Sequence, residues 1–183
     1  MYKRQTAGCA TAYIAGKLGL KVLLIEKGIH LGGTMTSGLV VPVMKSGNHQ
    51  INTDFYNILV EEMHKVGGQV TYQDNSGWFN PELMKIVLDK MMKDVSVDVR
   101  YNAEVKDVKT DGKYVLSLET NKEILSVYNE EVDTDNNSIK RYKPLSVYIG
   151  AKYFVDATGN CDFSNNINCK FLEMTSEYQP MSL

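Results

Sequence analysis

A long apolar run is the first thing this sequence does not have. Its longest uncharged apolar stretches are Val22 to Ile25 and Leu39 to Met44, the latter interrupted by Pro42. Both fall far short of the roughly 18 to 20 residues a membrane helix needs, so no membrane partner is expected. A basic excess is missing as well: 20 Lys and Arg stand against 22 Asp and Glu, a net charge of -2. Holding a phosphate backbone takes clustered cations, which argues against nucleic acid as a partner. The three cysteines, Cys9, Cys161 and Cys169, are odd in number and form no C-x-x-C, and His30, His49 and His64 fall in no metal-ligand spacing. Free thiols in a reducing cytoplasm are expected rather than a disulfide framework or a metal site. Lys3 and Arg4 ahead of an Ala-rich stretch mimic a secretion signal. No apolar region of about 7 to 15 residues precedes Cys9, however, so the stretch reads as a helix start and the chain as cytoplasmic.

What is present is a soluble-type composition, 43% hydrophobic and 23% charged over 183 residues, enough for one domain with a buried core. From Ala7 to Leu18 the residues are small or apolar, and the spacing places Ala7, Ala10, Ile14 and Leu18 on one helical face, with Gly19 as terminator. Lys21 to Glu26, K-V-L-L-I-E, reads as a buried parallel strand ending in an acid. Gly28 to Gly38 is a loop rich in Gly, Ser and Thr. Thr53 to Val66 has helical spacing at Phe55, Ile58, Leu59, Met63 and Val66, closed by Gly67-Gly68. A second helix is capped by Asn80, carries Pro81 in its first turn and turns Leu83, Met84, Val87, Leu88 and Met91 inward.

Beyond Lys93 the period drops to two. Val95, Val97 and Val99 alternate and are expected to join the parallel sheet of Lys21 to Glu26. Val105 and Val108, Tyr114 to Leu118 and Ile124 to Tyr128 follow as an antiparallel meander, with turns at Asp111-Gly112 and Thr120-Asn121. Glu130 to Lys143 is a polar loop. Tyr148 to Asp156 reads as an apolar strand, of which Tyr153 to Asp156 should lie in the same parallel sheet. The fold class is therefore α/β: a partial Rossmann-like layer, a parallel sheet with flanking helices, beside a small antiparallel β-meander.

Three motifs carry chemistry. A dinucleotide-binding fold needs a strand, G-x-G-x-x-G, a helix, a second strand and then an acid about 20 residues on, because the glycines admit the pyrophosphate and the acid takes a ribose hydroxyl. Here Gly8 stands at the third glycine and Glu26 ends the next strand, while Lys3 and Gln5 occupy the first two glycine positions. The second motif is Gly32-Gly33-Thr34-Met35-Thr36-Ser37-Gly38, whose backbone N–H groups and hydroxyls suit a cofactor; a loop here favours FAD over NAD. The third is Val155-Asp156-Ala157-Thr158-Gly159-Asn160-Cys161-Asp162, where an apolar stretch stops at A-T-G and Asp162 suits a ribitol hydroxyl.

On A-G-C-A-T-A with K-V-L-L-I-E-K, L-G-G-T-M-T-S-G-L-V, W-F-N-P-E-L-M-K-I-V-L-D-K-M-M and A-K-Y-F-V-D-A-T-G-N-C-D, the chain resembles the FAD-dependent oxidoreductases, the glutathione-reductase-like flavoproteins with two dinucleotide-binding domains. The resemblance implies that Gly8 is the third pyrophosphate-loop glycine and that Glu26 holds the adenosine ribose with Lys27 at the adenine edge. It further implies that Gly32, Gly33 and Thr34 pass near pyrophosphate and ribitol, that the backbone of Val105 meets the adenine, and that Gly159 and Asp162 contact pyrophosphate and ribitol. FAD is the implied cofactor, and the implied activity is hydride transfer between an unidentified small-molecule substrate and the flavin. No catalytic residue is assigned. By the same resemblance residues 1–183 are an incomplete FAD-binding domain and a fragment. The first strand and first two glycines and a C-terminal substrate domain are absent, a helical excursion covers 51–93, and the β-meander covers 103–150. Such a fragment is expected to be inactive although its parent is an enzyme. The competing readings are a truncated or degenerate dinucleotide-binding module without activity, and an NAD(P)-dependent dehydrogenase.

Overall fold

Small side chains dictate how the first helix packs. In the computed structural model, which describes residues 5–42, 53–69, 78–111, 114–122, 145–159, 161–165, 167 and 169, helix α1 spans Gln5–Lys17. Cys9 and Ala12 are its buried residues, whereas Ile14 and Leu18 are exposed and so is Ala7. The face inferred from apolar spacing is therefore wrong. Size decides the orientation instead: a Cβ on Gly16 would come to 2.8 Å from the carbonyl oxygen of Val95 and 2.9 Å from Val97 Cγ2, so the row Cys9, Ala12, Gly16 lets α1 lie against the residues ahead of the next parallel strand. Gly19, at φ 78, ends the helix in a Schellman motif, with Gly19 N–H donating to Gly16 (2.8 Å) and Leu20 N–H to Ala15 (3.1 Å).

Strand β1, Leu23–Ile25, follows at once. It pairs in parallel with β2, Asp98–Arg100, in the register Leu23 to Asp98, Leu24 to Val99 and Ile25 to Arg100. Of the expected Val95-Val97-Val99 alternation only Val99 lies in the strand, since Val95 caps the preceding helix and Ser96 is left-handed at φ 57. Between them the chain makes two amphipathic helices, α2 Thr53–Lys65 and α3 Pro81–Asp94. Helix α2 buries Phe55, Leu59 and Met63. Val66 lies past its end and is exposed, because Gly67 and Gly68 close the helix onto His64 and Met63 in a second Schellman motif. Asn80 caps α3 by accepting from Glu82 N–H at 2.9 Å and Leu83 N–H at 3.2 Å. Met84, Val87, Leu88, Met91 and Met92 of α3 are buried and form, with Cys9, Ala12, Leu31, Met63 and Val97, the main core.

The second layer is antiparallel: β3 Val105–Thr110, β4 Val115–Lys122 and β5 Leu145–Ile149 in the order β3-β4-β5. Gly112 of the turn expected at Asp111-Gly112 lies outside the described residues; on either side of it Tyr114 N–H donates to the Asp111 carboxylate at 2.7 Å. Thr120-Asn121 is no turn; both residues lie inside β4, where Thr120 pairs with Val105 on one side and Val147 on the other. A two-sided ladder outweighs their turn propensity. The strand expected over Ile124 to Tyr128 and the loop over Glu130 to Lys143 lie outside the described residues.

The last expected strand is also corrected. Tyr148 and Ile149 belong to β5, but Tyr153 to Asp156 form no strand and do not join the β1–β2 sheet. A strand exists by pairing, and among the described residues no strand backbone pairs with this segment; Tyr153 and Val155 are 78% and 66% exposed. Phe154 is held by its ring instead, stacked on Phe163 of the short helix α4, Asp162–Asn165, at 6.1 Å. Val108, Leu118 and Phe163 form the second core, with Ile25 and Phe154 packed against it.

Candidate functional site

Four pieces of chain meet at one end of the β1–β2 sheet: the first turns of α1, the residues after β1, the Gly-rich loop, and the segment ending in A-T-G. Gly8 brings the first of these against the A-T-G segment and against β1 itself. A Cβ there would come to 3.2 Å from Ala157 Cβ and 3.8 Å from Leu24 Cδ1, so the close approach that a phosphate-loop glycine permits is used here by protein atoms. Helix α1 is described from Gln5, so Gly8 lies within its N-terminal part.

Glu26 follows the last residue of β1 and is only 4% exposed. A carboxylate so buried needs donors. One is the N–H of Gly28, 2.6 Å from Glu26 Oε1, and a Cβ on Gly28 would crowd that same oxygen at 3.1 Å. Lys27 points outward and is ion-paired with Glu104, which also takes Lys106. The two lysines, Lys106 foremost, hold the Glu104 carboxyl below its ordinary range. That pair links the end of β1 to the start of β3, where Val105 is half-buried.

The Gly-rich loop folds on itself. Gly32, at φ 94, opens a 3-10 turn over Gly33–Met35. A Cβ on Gly32 would stand 2.7 Å from Thr36 Cγ2 and 2.9 Å from Leu88 Cδ1 of α3, a place only glycine fills without strain. Gly33 is left-handed too, at φ 50. The N–H groups of Met35, Thr36, Gly38 and Val40 donate to Gly32, Gly33, Gly33 and Thr34 respectively. The buried Thr36 hydroxyl donates to Leu31 at 2.6 Å, so this hydroxyl serves the loop and not a ligand. Beneath the loop lies Cys9, 1% exposed. Burial foremost, then the charges of Glu26 and Asp89, push its thiol up to about 12, against the N–H of Gly32.

Sequence reasoning missed Asp156. One of its oxygens accepts from Thr158 N–H (2.9 Å) and Thr158 Oγ1 (2.7 Å), the other from Ser164 N–H (2.8 Å) and Ser164 Oγ (2.7 Å). Burial alone would raise its pKa, but these four bonds together hold the carboxyl below its ordinary range. Asp two positions before Thr is an Asx-turn signal that could have found it. Gly159 lies in the turn that Asp156 organises and Asp162 is the first residue of α4. Cys161 between them is left-handed at φ 55. The structure thus brings Gly8, Glu26 and the Gly32–Gly33 loop together. Lys27 and Val105 sit where β1 meets β3, and Gly159 and Asp162 lie beyond Ala157.

A family model described as FAD dependent oxidoreductase matches residues 5–172. Among solved structures the chain is similar to THI4 of Thermovibrio ammonificans, at 21% identity and a TM-score of 0.42 over 62% of this chain and 43% of that one. It is also similar to BexE, studied for oxidation during BE-7585A biosynthesis, at 16% identity and a TM-score of 0.34 over 64% of this chain and 27% of that one. The chain therefore spans less than half the length of either. No curated protein matches.

Proposed function

The chain belongs to the FAD dependent oxidoreductase family, whose model covers residues 5–172, and from that premise we propose that it holds the adenosine and pyrophosphate part of FAD for a flavin-linked oxidation or reduction of a small molecule. The observation that carries the reading is the Glu26 carboxylate, 4% exposed at the carboxyl end of β1, where open α/β sheets take their ligands.

The residues present fit that part of FAD in chemical kind. A carboxylate turned by a glycine N–H suits the paired hydroxyls of a ribose. In this reading Glu26 takes the ribose, and Lys27, fixed by Glu104, flanks the adenine with the backbone of Val105. The N-terminal side of α1 is turned toward the pyrophosphate, whose negative charge that end of a helix favours. Gly8 keeps that end clear of side-chain bulk, and Gly32, Gly33 and Thr34 form the wall opposite. Gly159 and Asp162 lie toward the ribitol, positioned by the Asp156 bonds. When bound, FAD supplies a ring that accepts or returns hydride. The protein's part is to bind, orient and keep water from the adenosine end.

Titration of the purified chain with FAD, and separately with NAD, tests the reading through flavin fluorescence and gel filtration. Retained flavin with no NAD binding is the expected result. A colourless protein that takes up neither nucleotide would contradict it.

A further inference from the structure

Glu26 does not hold its place alone. Its N–H donates to the Arg100 carbonyl at 2.8 Å, the Ala103 N–H donates to the Glu26 carbonyl at 3.0 Å, and the Asn102 N–H donates to the Gly28 carbonyl at 3.1 Å. Residues 100–103 thus clasp the turn of residues 26–28, and Gly28 N–H in turn fixes Glu26 Oε1 at 2.6 Å. Any shift of the clasp moves Gly28 and rotates the carboxylate. Asn102 makes its bond at φ 50, a conformation Asn tolerates better than most residues.

One side chain ties this clasp to the core. The phenol of Tyr101, which packs against the main core, donates to the Asp89 carboxylate of α3, one residue beyond the Leu88 that lies under Gly32. Helix α3 therefore supports both the Gly-rich loop and the clasp. Burial, with the Asp89 bond adding to it, raises the Tyr101 pKa above its ordinary value, so the phenol stays a donor at neutral pH.

Building on the FAD reading, we propose that Tyr101, anchored on Asp89, is a positioning residue that aims the Glu26 carboxylate at the adenosine ribose and so sets the preference for a ligand carrying free ribose hydroxyls.

The test is Tyr101→Phe, titrated with FAD and with an FAD analogue lacking the 2′-hydroxyl of the adenosine ribose, with thermal unfolding followed in parallel. Loss of one aimed hydrogen bond corresponds to about tenfold weaker FAD binding. The deoxy analogue should bind Tyr101→Phe as it binds the wild type, and Tyr101→Phe should add no loss in a Glu26→Ala background. Asp89→Asn, which keeps an acceptor for the phenol, should restore most of the affinity that Asp89→Ala loses. Equal weakening of both ligands would mark a merely structural role, and undiminished FAD binding would mark none; either overturns the proposal. A wild-type chain that binds neither ligand would instead sink the FAD reading on which it rests, and the two failures are distinct.

Discussion

A Cβ placed on Gly8 would stand 3.2 Å from the Cβ of Ala157, so the first turns of α1 and the A-T-G segment touch with no side chain between them. Two residues distant in sequence thereby close one end of the candidate site. Gly8→Ala sets that tight contact against a gain in helix propensity of about 1 kcal/mol, leaving a small net change. Gly8→Val has no such compensation and should destabilise by about 1 to 3 kcal/mol. Urea unfolding of the two variants reads the difference, and a Val variant as stable as the wild type would show that the contact is not tight.

Asp156 gives a pH signature. Its carboxyl titrates below the ordinary value in the folded protein, so the charged form is favoured by folding. That contribution is fully present above the unfolded pKa of about 3.9 and is lost as pH falls through the lower folded value. Asp156→Asn should therefore lower stability at neutral pH and lose less than the wild type does on acidification. Parallel unfolding curves with the same pH slope in both proteins would rule this out.

The three thiols should separate by reactivity. Cys9 is buried with its pKa pushed up to about 12, whereas Cys161 and Cys169 are free and exposed. Since the thiolate is the nucleophile, a disulfide reagent at mildly alkaline pH should label two thiols quickly and the third only on unfolding. Rapid labelling of Cys9 in the native protein would mean that the Gly-rich loop opens over it.

How much of this was legible in the sequence varies with the kind of signal. Helices α2 and α3 were, because Asn80, Pro81 and the Gly67-Gly68 pair mark their ends and their apolar residues recur at helical spacing. That the chain after α3 pairs with β1 was legible, but its apolar alternation set the strand too early, because Val95 serves as the C-cap of α3 and only Val99 of the three valines lies in β2. The inward face of α1 was not: small residues recur around the helix, Ile14 is exposed, and Gly16 packs by its lack of a side chain, which a hydrophobic pattern cannot register. Tyr153 to Asp156 was misread because apolar content gives strand propensity but not a partner. In the site, Glu26 and the left-handed Gly32 carried their own signals. Tyr101 and Asp89 did not, since their bond joins a strand end to a helix that no spacing rule connects.

The central claim, that Glu26 receives the adenosine ribose of FAD, is tested most directly by the FAD affinity of Glu26→Ala beside that of Glu61→Ala, an exposed acid on α2. Loss of a charge-assisted hydrogen bond should weaken FAD binding by about 1 to 3 kcal/mol in the first variant and leave the second unchanged. FAD binding to Glu26→Ala as tight as to the wild type would contradict the account.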